Sequence, residues 1–308
     1  MRKFPLLFIL IISISTQISF GQKQRLELNL TVGNTYYHNM TSTSNIKEDL
    51  SGQSLTITMT ISGIIAYKVK EKKDSVYKMD VSYQELELKT KLPNGEAAFS
   101  SERNDLNDIT STMLSSIKGQ EFYVEMTRRG KIIRVKGLDS ILEKMLKPFA
   151  QLTDDQKQQM KGQLGQAFGE KAFKGSFEMI TAIYPAMPVE VGNSWTVQTK
   201  LESTMSATLS TTYTLKEKSS NYILITGKGT IKTADKSANV QINGMPAKYD
   251  LQGTMISSLK LDNVTGWIME SKANQNFSGN AIIKDNPKLP GGLTIPMSIE
   301  SEIIYNSK

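Results

Sequence analysis

The stretch Leu55-Thr56-Ile57-Thr58-Met59-Thr60-Ile61-Ser62 alternates apolar and hydroxyl side chains without a break. Successive side chains of an extended chain point to opposite faces, so this octet makes a strand with one apolar face and one face wetted by Thr and Ser. Working outward, Tyr77, Met79, Val81 and Tyr83 keep the same period, and Leu86, Leu88 and Leu92 then take the opposite parity. A parity switch inside one long strand is what a β-bulge near Gln84 and Glu85 would produce. The polar residues 68–74 between the two runs read as a hairpin turn. Farther along, Met205, Ala207, Leu209, Tyr213 and Leu215 alternate, as do Ile295, Met297, Ile299 and Ile303. Pro93-Asn94-Gly95 and Pro290-Gly291-Gly292 punctuate strands as turns.

Helical periodicity is confined to the middle of the chain. Residues 103–118 carry Leu106, Ile109, Met113 and Ile117 at spacings of three and four, the stripe of an amphipathic helix. Ser140 with Glu143 forms a capping-box pattern opening a helix through Ile141, Leu142, Met145 and Leu146, ended near Pro148. Thr153 with Gln156 repeats the pattern ahead of Met160, Leu164 and Phe168. Gly162 and Gly165 weaken that helix by about 1 kcal/mol each relative to Ala. A third helix holds Phe173, Phe177 and Ile180 and is ended by Pro185.

Two short motifs recur in the same order. Val32-Gly33-Asn34-Thr35-Tyr36 matches Val191-Gly192-Asn193-Ser194-Trp195, each ahead of an alternating strand, and Gly130-Lys131-Ile132 matches Gly266-Trp267-Ile268. The expected fold is therefore α+β, mainly antiparallel β, with two duplicated, curved, half-barrel-like sheets and a helical segment between them. Residues 22–138 form the first β-rich repeat with one inserted helix, 139–187 a helical connector or cover, and 188–308 the second repeat.

Composition narrows the function classes. The 308 residues include 37 Lys+Arg, 30 Asp+Glu, one His and no Cys. Arg2 and Lys3 precede an apolar run from Phe4 to Ile12, and Ser19-Phe20-Gly21 precedes Gln22, the layout of a cleaved signal peptide over residues 1–21. The run is well short of the roughly 20 residues that a membrane-spanning helix needs. Removing that segment takes away two cations and no anions, so the net charge falls from +7 to +5. The expectation is an extracytoplasmic protein, periplasmic or secreted, with no transmembrane segment. Without cysteine there is no disulfide, no thiol-ligated metal and no acylated lipoprotein anchor. At this length a large core supplies the stability that staples give to small exported domains.

Pro188-Val189-Glu190-Val191-Gly192-Asn193-Ser194-Trp195, after a helix and Tyr184-Pro185, resembles the recurrent motif of a family of secreted β-rich proteins from Bacteroidetes. The Ser-Phe-Gly-Gln junction at residues 19–22 is similar to exported proteins of that phylum. The resemblance implies a secreted β-rich fold and brings no activity or catalytic residues. More distantly, the layout resembles periplasmic carriers that hold lipids or lipoproteins in a half-open barrel.

Groups able to do chemistry are few. His38, between Tyr37 and Asn39 on the first strand, is the one imidazole. It reads as a polar residue on the wet strand face, which leaves no Ser–His–Asp arrangement or imidazole metal site to expect. Asp105 and Asp108 read as the polar side of a helix, and Asp154 and Asp155 as complements to a helix dipole. Gly227-Lys228-Gly229-Thr230 lacks the spacing of a phosphate loop and precedes strand-like residues, so it reads as a hairpin or bulged strand. The basic clusters Lys68, Lys70, Lys72, Lys73 and Arg128, Arg129, Lys131, Arg134 flank turns and lack interleaved aromatics, so no nucleic-acid partner is expected. No catalytic residue, metal ligand or cofactor is assigned.

What remains is apolar. Tyr36, Trp195, Trp267, Met255, Met269 and Met297 fall on strand-like segments at inward-compatible positions. They read as core, or alternatively as the lining of a cavity. Met255, Trp267, Met269 and Met297 are the candidate lining of such an apolar ligand site. The expected function is non-enzymatic binding of a hydrophobic small molecule or lipid between curved sheets and covering helices. The alternative is an envelope scaffold, or a protein or glycan interaction module, with a filled core.

Overall fold

The alternating runs become strands that each hydrogen-bond to the next in the chain, and the helical stripes become the lids over them. A computed structural model describes residues 23–307 except 51, 104, 106, 148, 150–152, 203–205, 234–239, 243–244 and 288. The expected signal segment, and Leu106, Pro148 and Met205 of the periodic runs, lie outside the described residues. In chain order come β1 (Thr35–Leu50), β2 (Gln53–Lys73), β3 (Val76–Leu92), β4 (Gly95–Ser100), α1 (Ile109–Ile117), β5 (Glu121–Thr127) and β6 (Ile132–Lys136). Then follow α2 (Leu138–Leu146), α3 (Asp154–Phe168), α4 (Glu170–Thr181), β7 (Ser194–Glu202), β8 (Ser206–Lys218) and β9 (Tyr222–Thr233). The chain finishes with β10 (Val240–Ile242), β11 (Met245–Asp262), β12 (Ile268–Ile283) and β13 (Leu293–Asn306).

The expectation of an α+β protein with two duplicated sheets is overturned. The strands form one 13-stranded sheet, with the path β6-β5-β3-β2-β1-β13-β12-β11-β9-β8-β7, β4 on β3 and β10 on β11. The joint between the two halves is β1 with β13, paired antiparallel from Asn39↔Asn306 to Glu48↔Met297. Two separate sheets would each expose the row of N–H and C=O groups that this pairing satisfies. The two Gly-Asn turns do share a geometry. The Gly33 N–H donates to Val69 O and the Val69 N–H to Asn34 O, while the Gly192 N–H donates to Leu215 O and the Leu215 N–H to Asn193 O.

The bulge lies where parity switches. Ile64 faces Glu85 and Ile65 faces Tyr83, so Gln84 is the extra residue. The sheet curls on itself, since both of its edge strands meet α4, and glycines stand where neighbouring strands crowd on the core face. A Cβ on Gly253 would lie 2.1 Å from the Asn276 carbonyl oxygen, and one on Gly279 2.1 Å from that of Asp250. Only glycine lets neighbouring strands approach so closely.

That curvature brings both edge strands, β6 and β7, against α4 and the residues that follow it. The Glu178 carboxylate accepts the Ile132 N–H of β6 at 2.7 Å, and the Trp195 indole N–H of β7 donates to Ile183 O at 2.7 Å. A helix thus closes the gap that strand pairing leaves open. The N-terminal segment 24–30 stops one end of the curl. Its Leu28 N–H bonds to Arg128 O and its Asn29 N–H to Thr265 O, both at 2.7 Å, and it buries Leu26, Leu28 and Leu30. The main core fills that end with Tyr67, Tyr77, Met79, Val124 and Met126 against Phe173, Phe177, Ile180 and Ile183.

Two helix starts differ from the sequence reading. α2 opens at Leu138 after Gly137 in a left-handed conformation with no side-chain cap, so Ser140 lies inside the helix. The buried Leu138 anchors that first turn. α1 begins only at Ile109, with the Asp108 carboxylate accepting the Ser111 N–H at 3.0 Å. The Thr153–Gln156 box forms at the head of α3, both of its reciprocal bonds being present.

Candidate functional site

α4 leaves a space where it crosses the sheet. Phe173 and Phe177 stack on one another with ring centroids 5.4 Å apart, and Phe177 stacks on Tyr67 of β2 at 4.9 Å. Ala172 and Ser176, one turn apart beside those rings, are too short to fill the same gap. The result is a cavity of about 250 Å³ between α4 and the core face of β1, β2, β3 and β13. The sheet side is lined by Met40, Ile61, Ile65, Leu86 and Ile303, and among the described residues none that lines it carries a formal charge. Met40, Ser42, Ile61 and Phe168 are half-buried and Ser176 is exposed, so the space is open on their side. Beyond it the same core face continues through Ile46, Ile57, Met59, Leu88 and Ile299, all half-buried, as a mostly apolar trough crossed by Thr90 and by Ser44 and Ser301, whose hydroxyls bond to each other at 2.8 Å.

Three phenols also line the cavity: Tyr67, Tyr83 and Tyr305. The Tyr67 hydroxyl is buried without a hydrogen-bond partner among the described residues. Burial pushes the pKa of all three up, and that of Tyr67 is raised further by the proximity of Tyr83 and Tyr305. All three are protonated donors throughout the physiological range.

His38 is not on the wet face. It is 1% exposed, stacked on Trp267 with centroids 4.3 Å apart and planes 12° apart, and edge-on to Tyr67 and Tyr305. Neither ring nitrogen has a partner among the described residues, and burial pushes its pKa down to about 3. The signal was in the sequence: His38 shares the parity of Tyr36 and Met40, whose rows face the core. The aspartate pair also separates, since Asp108 caps α1 and Asp105 precedes it. Asp154 and Asp155 occupy the first turn of α3. Gly227 to Thr230 lies in the unbroken strand β9, where a Cβ on Gly227 would strike the Tyr213 ring, so there is neither hairpin nor bulge at that point.

The four residues assigned to a ligand lining are not brought together. Met255 lies in an apolar cluster with Ala207, Leu209, Ile231 and Phe277 and touches a void of about 20 Å³ beside the cavity, with which that void shares Met179, Ile180, Ile303 and Tyr305. Trp267 belongs to the main core, its indole N–H donating to Tyr37 O at 3.2 Å. Met297 packs with Leu251, Ala281, Ile283 and Ile295 in a third cluster. Met269 is half-buried, and its carbonyl accepts the Ser307 N–H at 2.8 Å. The cavity is instead made by Tyr67, Tyr83, Leu86, Phe173 and Phe177. Alternation had placed Tyr83 on a core face, but nothing in the sequence said where α4 would cross.

Two other depressions are more polar. A groove of about 460 Å³ runs between the β5–β6 turn and β7, lined by Arg129, Lys131, Glu178, Met187 and Trp195. Burial raises the Glu178 pKa, opposed by the Ile132 N–H and by Lys174 and Lys131. Another, of about 360 Å³, lies beside the N-terminal segment, where Arg128 pairs with Glu27 at 2.8 Å. Among the described residues, no helix is long and apolar enough to cross a membrane.

Similarity to known proteins shows a fold and a family. A structure of lipovitellin describing its lipid–protein interactions matches with a TM-score of 0.50 at 10% identity, over 91% of this chain and 25% of that one. This chain thus spans a quarter of the length of the lipovitellin chain. The COG4313 outer membrane channel from Pseudomonas putida F1 matches with a TM-score of 0.27 at 7% identity, over 92% of this chain and 98% of the channel. No curated protein sequence matches. The sequence profile of DUF6263, a family of unknown function, matches residues 74–268, more than half of the chain, and the protein belongs to that family.

Proposed function

We propose that this protein binds a hydrophobic ligand, of which a lipid acyl chain fits the site best, and that it does so without catalysis and outside the cytoplasm. The observation that carries this reading is the open, uncharged, apolar cavity under α4, continuous with the half-buried trough on the core face of β13, β1, β2 and β3. At about 250 Å³ it is smaller than the roughly 300–1,000 Å³ of sites that enclose a whole drug-sized ligand. It therefore suits one end of a longer molecule whose remainder lies along the trough. The likeness to lipovitellin speaks to the fold alone; the ligand reading rests on the cavity. A space of this kind weighs against an interaction module with a filled core.

Uptake of pyrene, followed by its fluorescence, tests the proposal together with native mass spectrometry of protein purified from its host. Wild-type protein is expected to take up pyrene or to carry co-purified lipid. Ala172→Phe, which fills the gap beside Phe173, should weaken pyrene binding about tenfold or more with an unchanged far-ultraviolet spectrum. Wild-type protein that carries no lipid and takes up no pyrene would sink the idea.

A further inference from the structure

The cavity is apolar except at its hydroxyls, and that exception is informative. Buried polar atoms in folded proteins are almost always hydrogen-bonded, because leaving one unsatisfied costs about 1–3 kcal/mol. Tyr67 breaks the rule: it is 0% exposed, its hydroxyl has no partner among the described residues, and its ring lines the cavity. A phenylalanine would pack the same ring against Phe177 without that cost. Tyr83 and Tyr305 line the same space, and neither makes a side-chain hydrogen bond among the described residues. Three phenols therefore line one greasy pocket alongside Ser42 and Ser176, and among the described residues none of the three phenol hydroxyls has a hydrogen-bond partner.

We propose that the Tyr67, Tyr83 and Tyr305 hydroxyls bind the uncharged polar group of an amphiphile, a hydroxyl or an ester carbonyl, while its aliphatic part runs past Ile61 into the trough. The assignment rests on the cavity reading above and specifies which end of the ligand enters. Tyrosine supplies a donor and an acceptor on one oxygen, so the cluster matches a hydroxyl in either role and an ester carbonyl as acceptor. A carboxylate is disfavoured. Among the described residues no lysine or arginine lines the cavity, and His38, edge-on to Tyr67 and Tyr305, is neutral because burial lowers its pKa. A buried anion would have only neutral donors to replace its hydration. The same low-dielectric surroundings raise the phenol pKa values, so the site disfavours negative charge on its own side chains as well.

The test is displacement of pyrene by a chain-matched series, namely decane, decanol, methyl decanoate and decanoate, at mildly alkaline pH where the acid is ionised. Decanol and methyl decanoate are expected to displace pyrene at concentrations about tenfold below decane, with decanoate the weakest of the polar three. Tyr67→Phe should collapse the preference for decanol over decane toward unity. The same substitution should keep or raise the melting temperature of the ligand-free protein, since it removes an unsatisfied buried group. If pyrene and decane bind but the polar group makes no difference, or if decanoate binds best, the assignment of the polar end falls and the cavity reading stands. A Tyr67→Phe protein that retains the full preference likewise overturns the assignment. If pyrene and every chain fail to bind, both fall.

Discussion

His38 shows how far one residue's environment can depart from its chemistry. It sits on a strand row with Tyr36 and Met40, and the curl of the sheet encloses that row. Its pKa drops to about 3 from an ordinary value of 6.5 because no partner offsets the loss of water. Below about pH 6.5 the unfolded chain takes up a proton that the native ring refuses. Stability therefore falls as pH drops toward 3, by up to about 1.4 kcal/mol per unit from this group. Tyr67 and Tyr305, the titratable groups against its ring, stay neutral through that window. His38→Phe is expected to flatten this slope, and urea midpoints at neutral and moderately acidic pH for the two proteins would show it. Equal slopes would mean that His38 is hydrated in solution. Gly130 is a second residue whose meaning is tertiary. It has φ +75°, and a Cβ there would lie 1.7 Å from the Thr181 carbonyl oxygen. Gly192, at φ +92°, has nothing within 4 Å of the same position. Gly192→Ala should cost about 1–2 kcal/mol from backbone strain alone, and Gly130→Ala clearly more, in chemical denaturation.

At the scale of elements, α4 does what strand pairing does elsewhere in the sheet. Glu178 is 6% exposed, on the side of α4 turned to β6, and satisfies the edge N–H of Ile132. Thr181, one turn on, donates its hydroxyl to Gly130 O at 2.7 Å. Glu178→Leu leaves the Ile132 amide without its acceptor and is expected to cost about 1–3 kcal/mol, while Glu178→Gln keeps an acceptor and should cost less. Hydrogen exchange at Ile132 reads the difference directly, and equal protection in both variants would refute the bond's role. Strands and helices themselves were largely legible. The 55–62 alternation, the Gln84 bulge and the Thr153 cap stand where local periodicity put them, because each depends on neighbours within a few residues. The start of α2 was not legible, because Gly137 and the burial of Leu138 decide it in place of the Ser140 pattern. The cavity was not legible either, since it exists only where Ala172 and Ser176 meet Ile61, Leu86 and Ile303 from distant strands.

For the whole molecule, the consequence is one sheet and one principal core. β1 and β13, from opposite ends of the described chain, are hydrogen-bonded along ten residue pairs, and the main cluster draws on strands from both sides of the helical segment. Heat should unfold the halves together, as a single calorimetric transition whose van't Hoff and calorimetric enthalpies agree. Two resolved transitions would show halves of independent stability. The sequence alone determined the alternation along the strands, that most of the helices cluster between two β-rich runs, and that histidine and cysteine chemistry is scarce, though it set His38 on the wrong face. Those properties follow from the period of the backbone and from counting. Only the tertiary structure decided that the runs join edge to edge, that His38 is enclosed, and that three tyrosines meet under α4. Such pairings link residues hundreds of positions apart, and they are chosen by which edges and faces remain unsatisfied once the local elements have formed.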